Sequence, residues 1–293
     1  MNAIEALPAA LLANDDSFQF VQALATELSG GKVELPGFPA VAMRVQQVLA
    51  DEDVRPERVV RVIGSEPVLA SQLLLIANSV ALNPSGKQIT ELRTAVARVG
   101  FNTVRTATLT FAVRQLRGAA EVKPIAAELD ALWNRSVFVA SLCYVLARRV
   151  SRVVPDTALL TGLLQGVGRL YILTRAIRYP SLFANLATYQ AIERDWHLSI
   201  ATALLENWCV PEQIVHAVRD SEDFGRESRG AANLTDVLIA ANLMAVHGGQ
   251  PEMLEARLQG VKAVARMGLT RELCEQITQD CATEIAALRE ALG

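Results

Sequence analysis

The sequence predicts an all-α protein, and three observations carry that expectation. Its 293 residues are 51% hydrophobic but only 5% aromatic, a balance that suits close-packed helices better than a β-sandwich or barrel. Apolar residues recur at spacings of three and four, and no run alternates convincingly at period two. Prolines precede several of these runs, at the first helical position, where a missing N–H breaks no hydrogen bond.

Taken in order, a first helix starts near Ser17, with Asn14-Asp15-Asp16 as capping material, and Gly30-Gly31 ends it. Pro39 opens a helix carrying Val41, Val45, Val48 and Leu49, which Asp51-Glu52-Asp53 closes. Pro56 and Pro67 open the next two, the second ending near Asn78-Ser79. Thr90 is the expected cap of a helix that Gly100 stops, and Asn102 of the one that follows through Phe111. From Pro124 the helices lengthen. One holds Leu129, Trp133, Val137, Leu142 and Val145 and ends in Arg148-Arg149.

Pro155 then opens the stretch Gly162–Leu170, GLLQGVGRL, which reads as a buried helix tightening into a glycine turn at Gln165-Gly166. Pro180 opens a helix to about Asp195, His197–Trp208 forms another, and Pro211 opens a third. Ser221–Asn233 is a hydrophilic loop, followed by LTDVLIAANLMAVH and a short helix after Pro251. A last helix, Arg271–Leu292, places Cys274, Ile277, Cys281, Ile285, Leu288 and Leu292 at near-heptad spacing, which offers either packing on its own domain or a homodimer seam.

Composition narrows the function. A formal net charge of −3 argues against a general nucleic-acid binder, which needs cationic surface to neutralise phosphates. The arginines at 93, 98, 105, 114 and 117 read as ordinary solvated positions. Cysteines 143, 209, 274 and 281 form no CxxC pair and no zinc spacing, so they read as buried, reduced thiols. No signal peptide or membrane span is expected, and the expected setting is the cytoplasm. GxSxG, Walker, GxGxxG and HExxH motifs are absent.

Several stretches together resemble the HDOD family, the bacterial signal-output domain related to HD metal phosphohydrolases. They are LPGFPAVAMRVQQVLADEDV, IGSEPVLASQLLLIANS and ELRTAVARVGFNTVRTATLTFAV, then Leu132-Trp133, GLLQGVGRL and HLSIATALLENWCVPEQIVHAV. The resemblance covers about residues 33–225. It implies an all-α, multi-helix bundle, with an N-terminal helical subdomain packed on an HD-like one. The corresponding division is 1–30 as an N-terminal extension and 31–225 as the HDOD domain, split at 118/119. Residues 226–293 form a C-terminal helical tail.

An HD-type site gathers His and carboxylate ligands around one or two divalent metals that activate water against a phosphate ester. Carried over by position, the first His falls at Arg135, the His-Asp pair at Gln165-Gly166 and a later His at His197. Two further His positions fall near Ser221 and Glu222, and the final Asp falls at Asn242. One imidazole survives among neutral amides, a glycine and a fixed cation, so no metal, no cofactor and no catalytic residue is expected. The expectation is a pseudoenzyme. Its bland alternative for His197 is a polar residue at a helix N-terminus, and for Gln165 a hydrogen-bonded core amide.

The leading reading is a stand-alone, non-catalytic regulatory protein that contacts other signalling proteins. The alternative is a sensor of an anionic small molecule such as a nucleotide, using a residual pocket of Arg135, Gln165, His197 and Asn242 with Arg135 as the anion anchor. A metal-dependent phosphohydrolase with altered ligands ranks third, and a nucleic-acid role below it.

Overall fold

The computed structural model describes residues 15–31, 33, 35, 39–51, 53–80 and 82–292. The expected cap Asn14 and residues 36–38 of the entry segment lie outside them. Among the described residues the chain is helical, with no strand. The first part comprises α1 (Asp15–Ser29), α2 (Ala40–Leu49), α3 (Pro56–Gly64), α4 (Pro67–Ala77) and α5 (Leu92–Arg117). A 3₁₀ turn, Ala120–Ile125, leads to α6 (Ala126–Val150), α7 (Pro155–Leu164), α8 (Val167–Ala176), α9 (Ser181–Ala184), α10 (Leu186–Asn207) and α11 (Glu212–Arg219). The rest is α12 (Leu234–His247), α13 (Pro251–Leu258), α14 (Lys262–Met267), α15 (Arg271–Asp280) and α16 (Ala282–Leu292).

The proline rule holds locally. Pro56, Pro67, Pro155 and Pro251 occupy the first turn of α3, α4, α7 and α13, while Pro39 and Pro211 sit one residue earlier, at the N-caps of α2 and α11. α12 begins with a full capping box: the Asn233 side chain accepts from the Asp236 backbone N–H, and the Asp236 carboxylate accepts from that of Asn233. The turn at Gln165-Gly166 also falls where expected, between α7 and α8.

Four expectations are corrected. The N-cap of α5 is Glu91, not Thr90, while the stop expected at Gly100 is present: its φ of 74°, in the left-handed region that glycine tolerates, breaks the helical backbone, so α5 is two helices joined across that residue. α10 is continuous from Leu186 to Asn207, because no glycine or proline interrupts Asp195–His197; His197 is therefore mid-helix. Arg105 is 7% exposed and donates to the Leu49 carbonyl at 2.7 Å, so it ties α5 to α2 and is not a solvated arginine. Cys209 is exposed, whereas Cys143, Cys274 and Cys281 are buried free thiols.

The C-terminal helix is in fact two, α15 and α16, parted at Cys281. Its apolar stripe is buried within the chain: Cys274, Cys281, Leu288 and Leu292 are each at most 2% exposed. The residues read as a seam for a second copy therefore fill the protein's own core, where α15 and α16 pack on α6. α16 also reaches the first part, since Gln72 on α4 donates to the Ala291 carbonyl at 3.1 Å.

α6 is the central element, in contact with α7, α12 and α16. Its approach to α7 is close because Gly162 faces it: a Cβ there would lie 2.5 Å from the Ala140 Cα. The N-terminal helix is anchored to α8, where the Glu27 carboxylate takes both the Tyr171 hydroxyl and Arg175. No described helix is long and apolar enough to cross a membrane.

Candidate functional site

α8 and α10 meet with almost no space between them. A Cβ on Gly168 would lie 1.9 Å from the His197 carbonyl oxygen, so only glycine fits there. That contact sets the next residue, Arg169, directly against the His197 ring. Arg169 Nη2 lies 3.0 Å from His197 Nε2 and 3.1 Å from Glu222 Oε1, and Glu222 Oε1 is also 3.1 Å from His197 Nε2. Glu193, one turn before His197 on α10, stands 3.8 Å from Arg169 Nε.

His197 is fully buried, and its Nδ1 has no hydrogen-bond partner. Nε2 can accept from Arg169 or donate to Glu222, and a neutral ring does only one of these. The tautomer with hydrogen on Nε2 leaves Nδ1 a bare lone pair; the other leaves an orphaned N–H, the costlier fault in a buried site. The hydrogen bond from His197 is the main reason the Glu222 carboxyl titrates at about 2, helped by Arg169 and opposed by burial.

Arg135 projects from α6 toward this group. It is exposed overall, but its head group is partly withdrawn from water and faces Arg169. Burial first, then that repulsion, holds its pKa below the ordinary arginine value, against the pull of Glu193 and Glu222. Gly166 closes the set from the α7–α8 turn: a Cβ there would lie 2.3 Å from Ser136 Oγ, so any side chain requires Ser136 to turn away.

Of the four residues the sequence proposed, two enter this cluster. Gln165 is buried at the end of α7 and Asn242 is half-buried on α12. Neither forms a hydrogen bond with Arg135 or His197. His197 is likewise no helix-end residue. The cluster's centre, Arg169, was overlooked although it lies inside GLLQGVGRL. The available signal was an arginine one turn after a buried glycine turn, followed at once by an apolar run.

The donor set does not suit a divalent metal. Arg169 holds its charge against the one imidazole of the cluster, and a fixed cation there repels a second by about 4 kcal/mol at 4 Å and an effective dielectric of 20. The position expected to carry a carboxylate is Gly166, packed against Ser136. Among the described residues no three His, Cys, Asp or Glu side chains gather as metal ligands.

Helical architecture, the Gly162–Leu170 turn and the placement of His197 together fit one family, and a profile of the HDOD domain matches residues 35–224. The chain belongs to the HDOD family. Among solved structures, it is similar to a candidate metal-dependent phosphohydrolase from Shewanella amazonensis, with a TM-score of 0.74 and 22% identity, covering 96% of this chain and all of that one (100%). An HDOD domain protein of unknown function from Geobacter sulfurreducens aligns with a TM-score of 0.63 and 22% identity over 94% and 98% of the two chains. A candidate signal transduction protein from Marinobacter aquaeolei gives 0.59 at 17% identity, covering 96% of this chain and 67% of that one. At such identities these likenesses establish the HDOD fold and no activity. An uncharacterized protein of Treponema pallidum is 26% identical over 215 residues, 67% of this chain and 39% of that protein. The alignment thus spans well under half of that relative.

Proposed function

We propose that this HDOD protein is a non-catalytic regulatory module that works through contacts with other signalling proteins. The observation that carries this reading is Arg169: its guanidinium lies 3.0 Å from His197 Nε2 and donates to the Glu222 carboxylate, which also accepts from His197, so a fixed cation stands beside the one imidazole and the carboxylate of the cluster. A cluster of two arginines, two glutamates and one histidine is balanced within itself. Anion sensing through it gains no support, since Glu193 and Glu222 already face Arg135 and Arg169. Five cavities of about 340 to 700 Å³ open elsewhere, and none of the five is lined by Arg135, Gln165, His197 or Asn242.

The outward face of α4 is the contact surface this reading favours. Val68 and Leu75 lie two turns apart on it and are 60% and 53% exposed. A helix apolar on nearly every side is ordinarily enclosed, and an apolar patch left in water marks an interaction site. Beside Val68 a groove is floored by Phe111 and edged by Arg114, whose hydrogen bond goes to the neutral Gln72. That chemistry suits an apolar protein segment bearing a carboxylate.

The test is crosslinking and affinity capture from the source cells, comparing the wild-type protein with V68E/L75E and with Arg169→Ala. A signalling protein captured by wild type and Arg169→Ala but lost in V68E/L75E supports the reading. Loss in Arg169→Ala alone, or no reproducible partner, contradicts it.

A further inference from the structure

A separate cavity of about 340 Å³ opens between α6, α12, α13 and α15. Well-packed interiors hold few voids larger than a water molecule, whereas this one is within the size range of sites for small organic ligands. Three of its walls are hydrocarbon: Phe138 and Leu142 from α6, Met244 from α12 and Leu254 from α13. Leu142 and Leu254 are each 1% exposed and Met244 4%, so these surfaces belong to the core. Met244 adds an adaptable thioether that accommodates ligands of varied outline.

The fourth wall is polar and of one sign. α15 brings Glu275 and Thr278 to the cavity. Glu275 is half-buried and makes no hydrogen bond and no ion pair within 4 Å, although it feels the charge of Arg271 at longer range. Arg271, one turn earlier on the same helix, is drawn to Glu272 at 2.7 Å and Glu255 at 3.8 Å, and Arg289 lies over the Phe138 ring, 5.4 Å from its centre. The Thr278 hydroxyl already donates to the Cys274 carbonyl at 2.8 Å, so it presents lone pairs, not a proton, to a guest. Cys274 lines the same wall, and burial raises its thiol to a pKa of about 11, which keeps it neutral.

We propose that this cavity binds a small amphiphilic amine, with its hydrocarbon chain between α6 and α12 and its ammonium against Glu275 and Thr278. The single carboxylate of the lining, with no cation among the lining residues, disfavours fatty acids and other anions, and a neutral thiol beside one carboxylate is a poor metal site. The site is built mainly from helices beyond residue 224, outside the matched HDOD region, and it is independent of the regulatory reading above.

Calorimetric titration of the full chain with octylamine, octanol and octanoate tests it. Octylamine is expected to bind roughly tenfold more tightly than octanoate, with octanol between them, a difference of about 1.4 kcal/mol. Glu275→Gln should bring octylamine to the affinity of octanol and leave octanol unchanged. Ala245→Phe, which grows a ring from the cavity wall, should abolish binding of all three. Absence of octylamine binding, equal binding of octanoate, or an unchanged amine preference in Glu275→Gln overturns the proposal. So does full binding by a folded Ala245→Phe protein. If Ala245→Phe does not fold, Glu275→Gln decides by itself.

Discussion

Two arginine–carboxylate clusters in this chain look alike on paper and do different work. Around Asp236, Arg226 donates at 2.8 Å and Arg266 at 2.6 and 3.0 Å, and the Asn233 backbone N–H adds a further bond at 3.0 Å. Asp236 is 0% exposed and its two arginines are 17% and 14% exposed. Around Arg169 the geometry is looser, and the Glu222 side chain is 43% exposed. The first cluster locks the 221–233 loop and α14 onto α12, so removing it strands buried charge. The second gathers around His197 and Glu222, two positions that the family resemblance assigns to metal ligands, and its Glu222 carboxylate stays within reach of water while His197 does not. Burial of the carboxylate, not the count of ion pairs, separates the structural clamp at Asp236 from the half-open cluster at Glu222.

The sharpest way to break that distinction is Asp236→Ala. It leaves two poorly hydrated guanidinium groups and should cost about 3–5 kcal/mol in urea unfolding. A loss below that of Glu222→Gln would reverse the comparison. Gly168→Ala comes next. Its Cβ would meet the His197 carbonyl at 1.9 Å, and forced separation of α8 from α10 should cost about 1–3 kcal/mol or more, read as a lowered Tm.

A smaller effect belongs to Glu222, and its sign follows from linkage. Its folded pKa of about 2 lies below the ordinary 4.5. Its contribution is therefore complete above pH 4.5 and is lost as the pH falls toward about 2. Solvent screening keeps that contribution under about 1 kcal/mol. Wild type should lose more stability than Glu222→Gln across this acid window; parallel curves would show the pair to be idle. Smallest of all is Leu75→Ser on the open face of α4, which should stay within about 0.5 kcal/mol of wild type in the same unfolding assay.

Much of the fold was legible because its signals are local. A proline lacks an N–H wherever it stands, so helix starts at Pro56, Pro67, Pro155 and Pro251 could be read one residue at a time. The Gln165-Gly166 turn and the hydrophilic 221–233 loop were readable for the same reason. The break at Cys281 was not, since no glycine or proline marks it, and the apolar stripe runs on through it in the correct phase. The Asp236 clamp was invisible because its arginines lie 10 and 30 residues away, one within a stretch that reads as plain loop. Of the site, family position located His197 and Arg135. It could not locate Arg169, whose role depends on the bare Gly168 backbone letting α10 approach. Gln165 and Asn242 match the family by position, and their side chains make no hydrogen bond to Arg135 or His197.

We propose that Arg169 provides the positive charge of this site in place of a metal. The most direct measurement is elemental analysis of the purified full chain after equilibration with Mn, Fe or Zn and passage through a desalting column. Far less than one equivalent of metal is expected to be retained, unchanged in His197→Gln. A full equivalent held through the column by wild type and lost in His197→Gln would contradict it.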